Sequence, residues 1–207
     1  FDNKGSILKF DQSSKLLWKK NYYSKPEIKN NPILFFGSDS NILVVADTLA
    51  KIYALNLNTG KLLWSKTNNS PFNSQIKIFK DKIYVVDSQN SLHCFSLKEG
   101  KKIWKFNTDK PLIKSQKKLS IVVQNDKVIF NNSLGDITAI NNLDGKLIWQ
   151  TPTQSSKIYT EAMFLNTSDL VLKNKYIFFS NNTNNFFSLD VDTGVVNWKQ
   201  NINSSLR

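Results

Sequence analysis

The side chains with most chemical reach in this 207-residue chain are few and isolated. His93 is the only histidine and Cys94 the only cysteine. Zinc needs three or four nitrogen, sulfur or carboxylate ligands, and with no second His and no Cys partner His93 cannot anchor such a site. One thiol forms no disulfide within the chain and leaves the redox compartment open. Cys94 falls inside a strand pattern and is expected to be a small core residue, with His93 a strand surface residue. The acidic residues fall mostly in turns (Asp11, Glu99, Asp144, Asp190, Asp192) or at strand ends (Asp47, Asp81, Asp87). Capping of turn backbone accounts for them there. Asp136, in Ser-Leu-Gly-Asp-Ile, has a second reading as a central-channel residue, but a structural turn role is expected. No calcium loop of alternating aspartates with a closing glutamate is present. No catalytic, cofactor-binding or metal-ligating residue is assigned.

Charge is the other chemical feature. The net charge is +12, and Arg207 is the only arginine beside 27 lysines. Bidentate recognition of bases and phosphates favours arginine, so this composition argues against a nucleic-acid partner. Scattered lysines read as solvated surface, with long-range attraction for acidic partners or an anionic membrane surface and hence room for peripheral membrane association. No run of 18 apolar residues exists, so no transmembrane helix is expected. No signal segment of the basic-then-apolar kind follows Phe1.

The elements that carry these residues repeat. Ile52–Trp64 reads I-Y-A-L-N-L-N-T-G-K-L-L-W, and altered copies stand at Leu92–Trp104, Ile137–Trp149 and Phe186–Trp198. A first copy, Ile7–Trp18, is one residue shorter and lacks the glycine. The five tryptophans, Trp18, Trp64, Trp104, Trp149 and Trp198, hold one position of this unit, 46, 40, 45 and 49 residues apart. Gly60, Gly100, Gly145 and Gly194 each precede their tryptophan by four residues. Four of only seven glycines at one position mark a backbone requirement, a turn residue at positive φ. The Ser14-Lys15 turn must close differently. In Ile52–Leu57, Ile52, Ala54 and Asn56 face one way and Tyr53, Leu55 and Leu57 the other, as in a half-buried strand. His93 stands where Tyr53 does. The tryptophans are expected to pack as wedges between repeats, apolar on the ring and hydrogen-bonded at the N–H.

A period of this size with four short strands per unit predicts an all-β chain of β-propeller blades. Strands are expected in four complete units, beginning near Ile33, Gln75, Leu119 and Asp169, after a half unit of Ile7–Phe10 and Leu16–Lys19. Tyr22–Pro32 reads as a connection broken by Pro26 and Pro32. The longest linkers are Thr108–Lys118 and Thr151–Thr167. The second, with Pro152, Ser155, Ser156, Glu161 and Met163, is the expected elaborated loop. Asn201–Arg207 would lead into a further unit. The chain therefore reads as one propeller domain, 1–207, of about four and a half blades, an open arc or part of a larger ring.

The unit x-Y-A-L-N/D-x-x-T-G-K-x-L-W resembles the pyrroloquinoline-quinone (PQQ) propeller repeat, over nearly the whole chain. The resemblance implies an eight-bladed propeller in which each repeat tryptophan docks between neighbouring blades. Two branches share it: quinoprotein dehydrogenases and non-catalytic outer-membrane assembly factors of the BamB type. The dehydrogenases carry an adjacent Cys-Cys pair, a calcium set of acidic and amide groups, and a catalytic Asp in the channel. Cys94 stands alone here. The resemblance thus implies a periplasmic, outer-membrane-associated bacterial scaffold without cofactor, whose partners are proteins of a β-barrel assembly machine. PQQ and calcium belong to the competing reading, part of a quinone-dependent dehydrogenase.

Overall fold

The computed structural model describes residues 2, 5–111, 117–153 and 166–202. Most of the expected elaborated loop, the middle of the Thr108–Lys118 linker and the last five residues lie outside them. The described residues fold into one two-stranded and four four-stranded antiparallel sheets. The first sheet pairs β1 (Ser6–Phe10) with β2 (Leu16–Asn21). The second runs β3 (Leu34–Asp39), β4 (Ile42–Asp47), β5 (Lys51–Asn56), β6 (Leu62–Thr67). The third runs β7 (Lys77–Phe79), β8 (Lys82–Val86), β9 (Ser91–Ser96), β10 (Lys102–Asn107). The fourth runs β11 (Ile121–Gln124), β12 (Lys127–Asn131), β13 (Ile137–Asn141), β14 (Leu147–Thr151). The fifth runs β15 (Val171–Lys173), β16 (Tyr176–Asn181), β17 (Asn185–Asp190), β18 (Val196–Asn201). Each sheet is an up-and-down meander. The first strands β3, β7 and β11 lie against one another, so they form the inner side, and the last strands form the outer rim.

The hydrophobic core is divided among the seams between sheets. Val44, Ala46, Ile52 and Ala54 of the second sheet pack on Ile83, Val85 and Phe95 of the third. Tyr84, Val86, Leu92 and Cys94 pack on Ile121, Val128, Phe130 and Ile140 of the fourth. Ile129, Ile137 and Ala139 pack on Ile177, Phe179, Phe187 and Leu189 of the fifth. Ile7 and Trp18 meet Val45, Tyr53 and Leu55.

Alternation in a middle strand therefore assigns side chains to one seam or the other, not to core or solvent. Ile52, Tyr53, Ala54 and Leu55 are all at most 2% exposed. That corrects the half-buried reading of these strands. A strand sandwiched between two stacked sheets buries both faces, which is the pattern of a continuous apolar run.

One element departs from the expected connection. Within Tyr22–Pro32 a short helix, α1 (Lys25–Lys29), forms with Pro26 in its first turn. Pro26 starts this helix instead of breaking the chain, because the first turn has no use for the missing N–H. Glu27 Oε2 reaches back to the Ser24 N–H at 2.7 Å and Oγ at 2.8 Å. Glu27 also pairs with Lys51 of β5, which fixes the helix on the second sheet. The residue before the N-cap anchors too. Tyr23 donates to Asp47 Oδ2 at 2.6 Å.

Candidate functional site

The predicted repeat positions meet across the seams, each of the first four tryptophans with the glycine of the following sheet. A Cβ on Gly60 would lie 2.9 Å from the Trp18 ring; on Gly100, 2.4 Å from Trp64. On Gly145 it would lie 2.8 Å from Trp104, and on Gly194, 2.5 Å from Trp149. These glycines have φ between +65° and +74°. The turn therefore demands glycine twice over, for its backbone conformation and for the ring lying on it.

The indole N–H completes each contact. Trp18 Nε1 donates to Leu57 O at 3.1 Å, Trp64 to Leu97 O at 2.9 Å, Trp104 to Asn142 O at 3.4 Å and Trp149 to Val191 O at 3.0 Å. The acceptor is always the residue three before the glycine. Opposite Trp64, Trp104, Trp149 and Trp198 on the adjoining strand stand Ala54, Cys94, Ala139 and Ser188, small residues that leave room for the indole. Cys94 is thus a packing residue, 0% exposed, with burial pushing its thiol up to about 12. A β-bulge just before every tryptophan sets the angle at which the ring leaves the rim.

The two ends of the array differ from the interior. In the first sheet Ser14 takes the positive φ, +63°, and the shorter turn closes with Ser14 N on Asp11 O at 3.1 Å. Trp198 has no following sheet among the described residues and is 38% exposed. It packs on Phe178 and Phe186 of its own sheet instead. Val171, Phe178, Phe186 and Trp198 occupy the register positions of Val122, Ile129, Ile137 and Trp149, which the next sheet covers.

The acidic and amide groups serve turns. Between the second and third strands of each four-stranded sheet, one side-chain oxygen accepts two backbone N–H groups, two and four residues on. Asp47 Oδ1 takes Leu49 and Lys51, Asp87 Oδ1 takes Gln89 and Ser91, Asn132 Oδ1 takes Leu134 and Asp136, and Asn181 Oδ1 takes Thr183 and Asn185. Asp136 belongs to this turn. Its Oδ2 accepts from Gln150 of the outermost strand at 2.9 Å, so it is a turn residue and does not face the inner side. Among the described residues no three His, Cys, Asp or Glu side chains gather as a metal site.

His93 is not at the surface. It is 0% exposed, between Phe72 and Phe95, and its Nε2–H donates to Asp87 Oδ2 at 2.8 Å. The equivalent Tyr53 is buried as well, for the reason given above: both faces of a middle strand lie in seams. His93 Nδ1 is buried without a hydrogen-bond partner. Burial holds the imidazole below its ordinary 6.5, against the pull of Asp87. Burial pushes Asp87 up, but the hydrogen bond and charge of His93 and the backbone N–H groups of Gln89 and Ser91 together outweigh it and hold the carboxyl below 3.8.

Both shifts make the fold acid-sensitive. The unfolded chain takes up the histidine proton at a higher pH than the folded one, so stability starts to fall as pH drops below 6.5. The contribution of Asp87 is complete above 3.8 and is lost as pH falls through its lowered folded value. Thermal midpoints measured against pH should be level near neutrality and decline below about 6.5, and His93→Gln should remove the upper part of that decline. An unchanged profile in the variant would place the acid sensitivity elsewhere.

Sheets stacked face to face about an inner row of first strands define the class: an open arc of a β-propeller. The particular family follows from comparison. The chain belongs to the family whose model is described as outer membrane protein assembly factor BamB, which matches residues 3–207. It is 24% identical over 212 residues to the outer membrane protein assembly factor BamB of Yersinia pestis, an alignment covering 98% of this chain and 54% of that protein. The chain spans about half the length of the curated relatives it matches. Its fold is similar to the crystal structure of BamB from Moraxella catarrhalis, with a TM-score of 0.71 at 16% identity over 98% of this chain and 60% of that one. It is also similar to a quinohemoprotein alcohol dehydrogenase from Pseudomonas putida, with a TM-score of 0.61 at 15% identity over 80% of this chain and 33% of that one. The shared fold therefore spans both branches of the repeat family, and the family match singles out the assembly factors.

Proposed function

We propose that this chain is part of a non-enzymatic β-propeller scaffold that works in outer-membrane β-barrel protein assembly by binding other proteins. The working place is the bacterial periplasm at the outer membrane, and the complete propeller has eight blades, of which residues 1–207 form one continuous domain. The observation that carries this reading is the family match over residues 3–207. The side chains agree with it, because the groups a reaction would draw on are already committed to the fold. Asp47, Asp87 and Asp136 hold turns, and His93 and Cys94 are sealed in seams.

A quinone and calcium site of the dehydrogenase kind does not fit these residues. Such a site needs free carboxylates converging on one point and a pair of adjacent cysteines, and the described residues offer neither. The protein, purified with the rest of its reading frame and incubated with PQQ and calcium, should show no quinone absorbance and no dye reduction with alcohols. Calcium-dependent turnover would overturn the scaffold reading.

A further inference from the structure

The outer rim has a composition that neither the seams nor the turns explain. Among the described residues sixteen large apolar side chains are exposed, and nine of them lie on the five outermost strands. Those strands carry six lysines and no aspartate or glutamate. The first two sheets concentrate the pattern. Leu16, Leu17, Leu62 and Leu63 are 46–51% exposed. Lys15, Lys19, Lys20, Lys61 and Lys66 stand exposed among them. The two rims are continuous, since Trp18 and the Lys20 stem lie on Gly60, in the turn that leads into β6. The nearby acids are occupied: Asp2 pairs with Lys19 at 2.9 Å, Asp11 caps its own turn, and Glu27 pairs with Lys51 on α1.

We infer that the rim of the first two sheets, Leu16–Lys20 with Lys61–Lys66, is a docking surface for an anionic lipid bilayer. Two features select this occupant. A cluster of five lysines, one of them paired with Asp2, is complementary to anionic headgroups, and leucines set among them reach the acyl boundary, as on an amphipathic interfacial element. A partner strand is the poorer fit. β2 and β6 are each bulged just before their tryptophan and carry lysine, two devices that discourage strand addition at an edge. This inference is independent of the scaffold reading, because it concerns where the arc touches a lipid surface and not what it binds in protein.

The test is co-sedimentation of the full chain with vesicles of 70% phosphatidylcholine and 30% phosphatidylglycerol, against pure phosphatidylcholine, in a salt series. The surface predicts binding to the anionic vesicles only, weakening as salt rises. Each lysine near such a surface strengthens binding about fivefold, so the triple variant Lys20→Glu, Lys61→Glu, Lys66→Glu should weaken it at least about a hundredfold. The control Lys173→Glu, Lys175→Glu, Lys199→Glu makes the same charge change on the fifth sheet, away from this rim, and should weaken binding far less. Circular dichroism verifies that both variants fold. Equal loss in the two triples would overturn the inference in favour of net charge. Binding that survives the rim triple but is lost in Trp198→Ser would overturn it in favour of the open seam face. So would failure to bind vesicles together with rim-dependent capture of an acidic peptide.

Discussion

Gly100→Ala is expected to lower the stability of the chain by about 3 kcal/mol. Two costs add. The backbone sits at φ +65°, which costs a residue with a Cβ roughly 1–2 kcal/mol. The new methyl would also stand 2.4 Å from Cε3 of Trp64, and overpacking a filled site costs about 1–3 kcal/mol. Moving the ring to relieve the clash would stretch its 2.9 Å hydrogen bond to Leu97 O. Urea unfolding checks the sum, and Asn174→Ala separates the terms. Asn174 has φ +56° in an exposed turn, so its substitution reports the backbone cost alone, about 1 kcal/mol. Equal effects at the two positions would mean that the ring does not press on the glycine.

The second large effect is the contrast between an internal tryptophan and the last one. Trp149 is 9% exposed, lies in the cluster with Ile137, Leu189 and Val191, and donates to Val191 O. Trp149→Ala should cost about 3–5 kcal/mol, since it empties a filled seam and leaves a buried carbonyl without its donor. Trp198 has the same sequence context but is 38% exposed, with ring contacts only to its own sheet. Trp198→Ala should cost about 1 kcal/mol, because much of the removed surface was never withdrawn from water. If both variants lost equal stability, the tryptophan would act within its own sheet and not as the joint between sheets.

These contrasts show how far the sequence could be read. The pitch of the tryptophans and the fixed glycine before each one disclosed the propeller arc, because a turn at positive φ and a large ring are demands that local sequence expresses. The direction of the joint was hidden. Trp64 and Gly60 are neighbours in sequence, yet Trp64 lies on Gly100, one repeat further on. A periodic pattern looks the same whichever neighbour the ring meets.

The sequence places His93 at the surface for a related reason. Period-two alternation in a single sheet separates core from solvent, whereas in stacked sheets it separates one seam from the next. The helix at Lys25–Lys29 was masked by Pro26, although Ser24 and Glu27 at capping-box spacing announced a helix start. Function was legible only through resemblance. Acids that hold turns and a histidine sealed in a seam leave no reactive cluster among the described residues whose geometry could be reasoned from.

A scaffold is known by what it holds. The most direct measurement is chemical cross-linking in intact cells that express the protein with the rest of its reading frame, followed by capture and identification of its partners. The scaffold reading predicts components of the outer-membrane β-barrel assembly machine, retained in Lys98→Glu and lost in Gly100→Ala under conditions where the third sheet no longer docks. Recovery of the intact, folded protein without any such component, from cells in which the machine itself is captured, would contradict it.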